Sequence, residues 1–381
     1  MGKGVPVASS DSVGEQPRGR VLVLASDHRP AVSGVGVYVD QLSRHLAPAW
    51  ETTVAAPGAM VDGKALQFRA LPSTGPSSFS VSRLIEWSSL MGFLSGRAER
   101  PDIIHAHGFM SAIPAALASE AWGVPWVLTK HCWLEDYDTA PDVAFELQSW
   151  SIRNADAVVA PSQWLARRIR QEAGNAVEVQ VIASDSEVPE PQPEVIPAGT
   201  GRIFVHSGAQ YHKGLDLSLA AFLEVAEPQD RLLVVGSVEE RLRRDAERVT
   251  DHRITWLGHQ PQQAAWETYR QATAMLAPSR SDGFPLAVIE AQKLGVPVLG
   301  TTESSIPEII TEGVTGCCVA PESFPGLVAG FSREALAPPE EIRRIARSRF
   351  SWAATATQYG QLFSRIIARY SDGVTPTTAR N

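Results

Sequence analysis

Short unbroken apolar runs alternate along this chain with longer stretches in which apolar side chains recur every three or four positions. The first run, Arg20-Val-Leu-Val-Leu-Ala25, has the continuity of a strand buried on both faces. A loop carrying Pro30, Ser33, Gly34 and Gly36 follows. Val35, Val39, Leu42 and Leu46 then fall on one helical face. Further strands are predicted at 52–56, 102–106, 126–129, 157–160 and 177–182, and helices near 111–121, 142–153 and 162–172. Between Met60 and Arg83 the pattern loses its period. Regular alternation of strand and helix implies a parallel sheet covered on both faces.

Residues 186–200 interrupt the pattern with four prolines and several acids, the composition of a linker. Beyond it the alternation restarts. Strands are predicted at 203–206, 232–235, 254–257, 275–277, 297–299 and 317–319, and helices near 215–225, 239–249, 263–272 and 286–294. The chain thus divides into a tail (1–19), an N-terminal Rossmann-like domain (20–185), the linker, and a C-terminal Rossmann-like domain (201–350). A closing helix (351–370) is expected to return toward the N-terminal domain, followed by a second tail (371–381). Two doubly wound α/β domains would face a central cleft.

Bulk properties narrow the function classes. At 381 residues the chain exceeds a single ordinary core. Hydrophobic residues make up 44% and charged residues 20%, as in a soluble globular protein. A net charge of −8 gives no electrostatic case for nucleic acid as the main partner. Cys132, Cys317 and Cys318 lack zinc-type spacing and read as reduced thiols of a cytoplasmic protein. No run is long enough to span a bilayer, and the first 19 residues lack the apolar stretch of a signal peptide.

Four clusters at predicted strand ends carry candidate chemistry. In Ser33-Gly34-Val35-Gly36, glycine lets backbone N–H groups approach a phosphate at a helix N-terminus, although a tight turn without a ligand has the same sequence. His105, His107 and His131 end neighbouring strands and would open onto one crevice, or else serve as packed structural residues. Lys213, before Gly214 at a helix start, could set its ammonium against a diphosphate; a solvated surface lysine is the alternative. The fourth cluster runs from Pro278 to Ala291. Asp282 and Glu290 are separated by seven residues, and backbone N–H groups of Leu286 and Ala287 lie between them at a helix N-terminus. Both carboxylates suit acceptance of hydrogen bonds from sugar or ribose hydroxyls.

Taken together these segments resemble the retaining, GT-B-fold glycosyltransferases of family 4, over about residues 20–370. The resemblance rests on the Gly34 turn, Asp102-Ile-Ile-His-Ala-His107, Ala155-Asp-Ala-Val-Val-Ala-Pro-Ser162 and Lys213-Gly214. The most specific part is the series from Pro278 through Glu290 and Pro297 to Ile306-Pro-Glu308 and Gly313-Val-Thr-Gly316. It implies a donor site in which Gly34 faces the diphosphate, Lys213 neutralises it and His131 lies beside the transferred hexose. Asp282 and Glu290 would hold sugar and ribose hydroxyls, with Phe284, Leu286 and Ala287 in the donor loop. His107, Lys130 and Trp133 are candidates for the acceptor side. The implied donor is a UDP-, GDP- or dTDP-sugar, the acceptor a small hydroxylated molecule, and no metal or other cofactor is expected.

Three departures mark a variant site. Ala209 stands where the family has an arginine, leaving Lys130 or His212 as substitute cations. Asp282 replaces a glutamate, and Ala183-Ser-Asp-Ser186 replaces the usual Asn-Gly-Val-Asp. A sugar-nucleotide epimerase and a degenerate, non-catalytic binding subunit remain competing readings. Asp136-Tyr-Asp138 superficially matches a metal-binding acid pair, but lies in the N-terminal half. The basic helix around Arg167, Arg168 and Arg170 could touch a membrane, for a lipid or cell-envelope polysaccharide acceptor; a soluble acceptor is preferred, of natural-product (aminocyclitol) type.

Overall fold

Two all-parallel sheets form the protein in the computed structural model, which describes residues 18–25, 34–47, 49–57, 65–68, 99–134, 142–174, 177–190, 201–242 and 249–373. In chain order the N-terminal half contains β1 (Arg20–Leu24), α1 (Gly34–Leu46), β2 (Glu51–Pro57), β3 (Ala65–Phe68), β4 (Ile103–His107), α2 (Ala112–Trp122) and β5 (Trp126–Thr129). It continues with α3 (Asp142–Asn154), β6 (Ala157–Ala160), α4 (Gln163–Ala173) and β7 (Glu178–Val181). Its strand order is β3-β2-β1-β4-β5-β6-β7. The sheet is read straight from the apolar runs: Ile103 to His107 and Trp126 to Thr129 are buried at every position, as strands covered on both faces must be.

The C-terminal half contains β8 (Ile203–Ser207), α5 (Leu215–Val225), β9 (Arg231–Val235), β10 (Ile254–Gly258), α6 (Gln262–Arg270), β11 (Ala274–Ala277) and α7 (Leu286–Lys293). Then come β12 (Val298–Thr301), α8 (Ile306–Ile309), β13 (Gly316–Val319), α9 (Phe324–Ala329), α10 (Pro339–Arg349) and α11 (Trp352–Ser371). Strand order here is β10-β9-β8-β11-β12-β13.

One strand departs from expectation. β3 pairs in parallel with β2 through Val54–Ala65 to Pro57–Phe68, inside the stretch whose pattern is irregular. Four residues at a sheet edge are too few to carry a period. The remainder of 60–91, residues 135–141 including Asp136 and Asp138, most of the 239–249 helix and tail residues 1–17 and 374–381 lie outside the described residues, as do Ser33 and linker residues 191–200.

α11 returns to the N-terminal half and packs on α1. Its Leu362 and Phe363 are fully buried with Val21 and Val23 of β1, each contributing about 1.5–3 kcal/mol by leaving water. Gly360 lets the helix approach closely, since a Cβ there would sit 2.9 Å from Trp50 Nε1. A buried ion pair ties the crossing segment to the C-terminal half. Lys293 Nζ on α7 donates to Asp185 Oδ1 and to the Ser186 carbonyl (2.9 Å), while Asp185 Oδ2 accepts from Trp352 N (3.1 Å). Ser186, the first residue of the expected linker, is therefore buried against α7.

Candidate active site

Strand order decides where a ligand can sit. In the N-terminal sheet the order reverses between β1 and β4, and in the C-terminal sheet between β8 and β11. Open parallel sheets bind ligands at the carboxyl ends of such a pair. The first switch point delivers Gly34 and His107; the second delivers Gly208 to Lys213 and the loop from Pro278 to Pro285. The two meet around a cavity of about 410 Å³, lined from one side by Gly34, Tyr38 and His131 and from the other by Lys213, Asp282, Phe284, Leu286 and Ala287.

The C-terminal wall is built on close approaches. Lys213 Nζ pairs with Asp282 Oδ2 across the two loops. Gly214 sits at φ 75°, and a Cβ would fall 2.0 Å from the Pro278 carbonyl oxygen, so the loop preceding α5 requires glycine. Leu286 and Ala287 begin α7, whose first N–H groups have no partner within the helix, and Pro285 supplies an N-cap without an N–H of its own. Opposite, Gly34 is the first residue of α1 rather than part of a free turn, and a Cβ on it would meet nothing within 4 Å. Two helix N-termini thus border one cavity.

The halves touch at the loop from Pro278 to Pro285. Ser162 Oγ caps α4 by accepting from Leu165 N (3.1 Å) and donates to the Gly283 carbonyl (2.7 Å). Glu308 of α8 accepts from Gln163 N (2.7 Å) and Trp164 N (2.6 Å), so the C-terminal half also caps α4. A Cβ on Gly283 would lie 2.3 Å from the His131 carbonyl oxygen.

Behind His131 the N-terminal wall is a layer of hydrogen-bonded rings. His107 Nδ1 lies 3.0 Å from His131 Nε2. His105 Nε2 meets Thr129 Oγ1 (2.7 Å), which meets the Tyr359 hydroxyl (2.9 Å), which accepts from the Tyr38 hydroxyl (2.9 Å). Burial pushes His105 down to about 3 and His131 to about 4, and holds His107 well below the usual imidazole range. All three rings are neutral at pH 7. Tyr38 and Tyr359 are raised for the same reason, Tyr359 to about 12.

The structure brings Gly34, His131, Lys213, Asp282, Phe284, Leu286 and Ala287 to the cavity. It does not bring His107, Lys130, Trp133 or Glu290 to its lining. His107 is 2% exposed and stands behind His131. Lys130 is buried, its ammonium donates to Gln148 Oε1 (2.6 Å) and lies 5.6 Å from the Trp133 ring, so it is not a substitute phosphate-binding cation in this cleft. Trp133 belongs to the N-terminal core. Glu290 sits one turn along α7 from Leu286, where its Oε1 accepts from Ser186 Oγ (2.7 Å) and Gln262 Nε2 (3.3 Å). Of the two substitute cations, His212 alone lines the cavity. Tyr38, Ser184 and Ser281 line it too and were not singled out from sequence.

Among the described residues no helix is long and apolar enough to cross a membrane, and no group of three or more His, Cys, Asp or Glu could hold a metal ion.

The family model "Glycosyl transferase 4-like domain" matches residues 33–184, and "Glycosyl transferases group 1" matches residues 200–333, one on each half. The chain belongs to glycosyltransferase family 4. A D-inositol 3-phosphate glycosyltransferase of Segniliparus rotundus is 32% identical over 302 residues, covering 68% of this chain and 65% of that relative's length. A glycogen synthase of Mycobacterium tuberculosis is 25% identical over 402 residues, covering 90% and 94%. Among solved structures, a sucrose-phosphate synthase from Thermosynechococcus elongatus superposes with a TM-score of 0.75 at 18% identity, covering 92% of this chain and all of that one. An Anabaena protein in complex with UDP-glucose gives 0.72 at 16% identity, covering 91% and 100%. These structures share the GT-B fold of two Rossmann-like domains.

Against the family pattern, the Ala209 position is turned inward. Ala209 is fully buried among Phe204, Leu215 and Phe222, so this side chain points into the core rather than at a phosphate. Arg280 does not replace the family's arginine: its guanidinium donates to both Asp216 oxygens (2.7 Å each) and stacks 4.1 Å from the Tyr211 ring.

Proposed function

We propose that the chain is a retaining glycosyltransferase, moving a hexose or amino-hexose from a nucleoside-diphosphate sugar to a hydroxyl of a small soluble acceptor. The observation that carries the reading is the convergence of Lys213, the α7 N-terminus and the α1 N-terminus on one cavity of about 410 Å³. An ammonium and two helix N-termini, where positive partial charge gathers, suit a diphosphate, and Asp282 stands ready to accept from sugar hydroxyls. Glu290, further along α7, would take the ribose.

In the step envisaged, the bond from the anomeric carbon to the diphosphate oxygen breaks as the acceptor oxygen bonds to the same face. The acceptor's proton passes to the departing phosphate. Catalysis then rests on positioning and charge stabilisation. Lys213 and the α7 N–H groups supply that stabilisation, so chelators should leave turnover unchanged. The Segniliparus relative's name specifies a phosphorylated cyclitol acceptor, which supports a cyclitol-type acceptor here. The UDP-glucose complex of the Anabaena protein puts UDP-sugars first in any screen.

The test is a thermal-shift screen of UDP-, GDP- and dTDP-sugars. A ligand at a hundred times its Kd adds about 2.7 kcal/mol to folding stability. Binding that is lost in Lys213→Ala, with free nucleoside diphosphate released only when an acceptor is present, is the expected result. Release of an epimerised sugar nucleotide without acceptor would establish the epimerase reading instead. Absence of binding to any nucleotide sugar would leave only a non-catalytic subunit.

A further inference from the structure

We propose that His107 is a positioning residue, whose Nδ1–H donates to Nε2 of His131 and thereby fixes His131 as the tautomer presenting Nδ1–H to the cleft. The inference extends the glycosyltransferase reading only in what that N–H is for; the tautomer itself stands on geometry.

The two imidazoles are nearly parallel (18°), with centroids 5.3 Å apart and 3.0 Å between His107 Nδ1 and His131 Nε2. Both are neutral, so one proton occupies the bond, and it belongs to one ring or the other. If His131 were the donor, His107 would carry its own proton on Nε2. That nitrogen is buried and has no hydrogen-bond partner among the described residues. An unpaired N–H in the interior is rarer and costlier than an unpaired lone pair. His107 is therefore the donor through Nδ1, and Nε2 keeps only a lone pair. His131 must then hold its proton on Nδ1.

Neighbouring rings hold this arrangement. His105 packs 4.2 Å behind His107, and the His105–Thr129–Tyr359–Tyr38 chain closes the pocket around it. Tyr38 also meets the His131 ring edge-on at 4.9 Å and 73°. With Nε2 occupied, Nδ1 is the nitrogen His131 has for the cavity it lines. It acts there as a hydrogen-bond donor to a sugar hydroxyl or a phosphate oxygen. A general base at this position is excluded by the same proton.

The test uses full-length protein labelled with 15N-histidine, whose two-bond 15N–1H correlations report each ring's tautomer. His131 signals are assigned by their loss in His131→Gln. The wild type should show His131 protonated on Nδ1. His107→Asn, whose amide N–H takes the place of Nδ1–H, should keep that form, and His107→Leu should move it toward Nε2–H. In turnover, His107→Leu should lower kcat about tenfold, the weight of one neutral hydrogen bond, with donor KM little changed. His107→Asn should recover most of it. An Nε2–H tautomer in the wild type, or a His131 signal unaltered by His107→Leu, would overturn the proposal. Because the spectra need no substrate, a failure of the glycosyltransferase reading would leave this result standing and recognisable.

Discussion

Lowering the pH should destabilise both domains by an amount that the buried histidines set. His105, His107 and His206 are at most 2% exposed. Burial is the leading cause in each, pushing His105 to about 3 and His206 to about 4 and His107 well below the usual range. In the unfolded chain each titrates near pH 6.5. As pH falls through that value the unfolded state takes up protons that the folded state refuses, so stability drops. The loss begins near pH 6.5 and continues down to the folded values.

Between pH 7.5 and 5.0, one such histidine removes about 2 kcal/mol of folding free energy. His105 acts in the N-terminal domain and His206 in the C-terminal one, so each loses about that much, and His107 adds to the first. In a domain of 150–250 residues 1 kcal/mol is worth about 2–4 °C, giving a fall of about 4–8 °C in each midpoint and more in the N-terminal one. Glu290, raised by burial, acts oppositely and tempers the C-terminal shift. Asp251, lowered to about 2, loses its contribution only at more acid pH. Thermal melts followed by circular dichroism across this range read the effect. His252→Asn, at a side chain 85% exposed, is the control and should melt like the wild type. Equal midpoints at both ends of the range would refute the assignment of these rings as buried neutral groups.

Two further outcomes follow from contacts already described. In Gly283→Ala the new Cβ, 2.3 Å from the His131 carbonyl oxygen, must push the halves about 1 Å apart, which should cost about 100-fold in transfer rate while each domain's Tm holds; full activity would mean the halves need not approach this closely. Asp185→Ala strands the Lys293 ammonium in the interior and should cost about 3–5 kcal/mol in urea unfolding. Adding Lys293→Met should recover part of that loss, and a single variant as stable as the wild type would contradict burial of the pair.

Much of this architecture is legible in the sequence because buried parallel strands must be continuous apolar runs. Residues 126–129 and 157–160 have the same bounds from pattern and from coordinates. β3 was not legible, because an edge strand of four residues leaves no period. In the site, Lys213, Asp282 and His131 could be found because strand ends and glycine-rich loops are visible locally. Tyr38 was hidden in plain view on the apolar face of α1. Its hydroxyl matters through Tyr359, 321 residues away, a pairing no local pattern carries. His107 and Lys130 show the converse: adjacency to a strand end does not say which way a side chain points, and both point inward.

Two of the three departures from the family pattern, at Ala209 and Asp282, become one coupled change in this geometry. Turning the Ala209 position into the core removes a cation from the cleft, and Arg280 is already committed to Asp216. A free carboxylate at position 282 would then face an incoming diphosphate with only Lys213 to offset it. Instead Asp282 pairs with Lys213, and its side chain, one methylene shorter than glutamate, stays near the C-terminal wall. The wall is thereby close to neutral in formal charge, and any attraction for an anion would come largely from oriented N–H groups on α1 and α7. Such groups act within the first helical turn and fix direction as well as charge. On the proposed reading, donor recognition in this chain relies less on counting cations than on placing two phosphates against two helix ends.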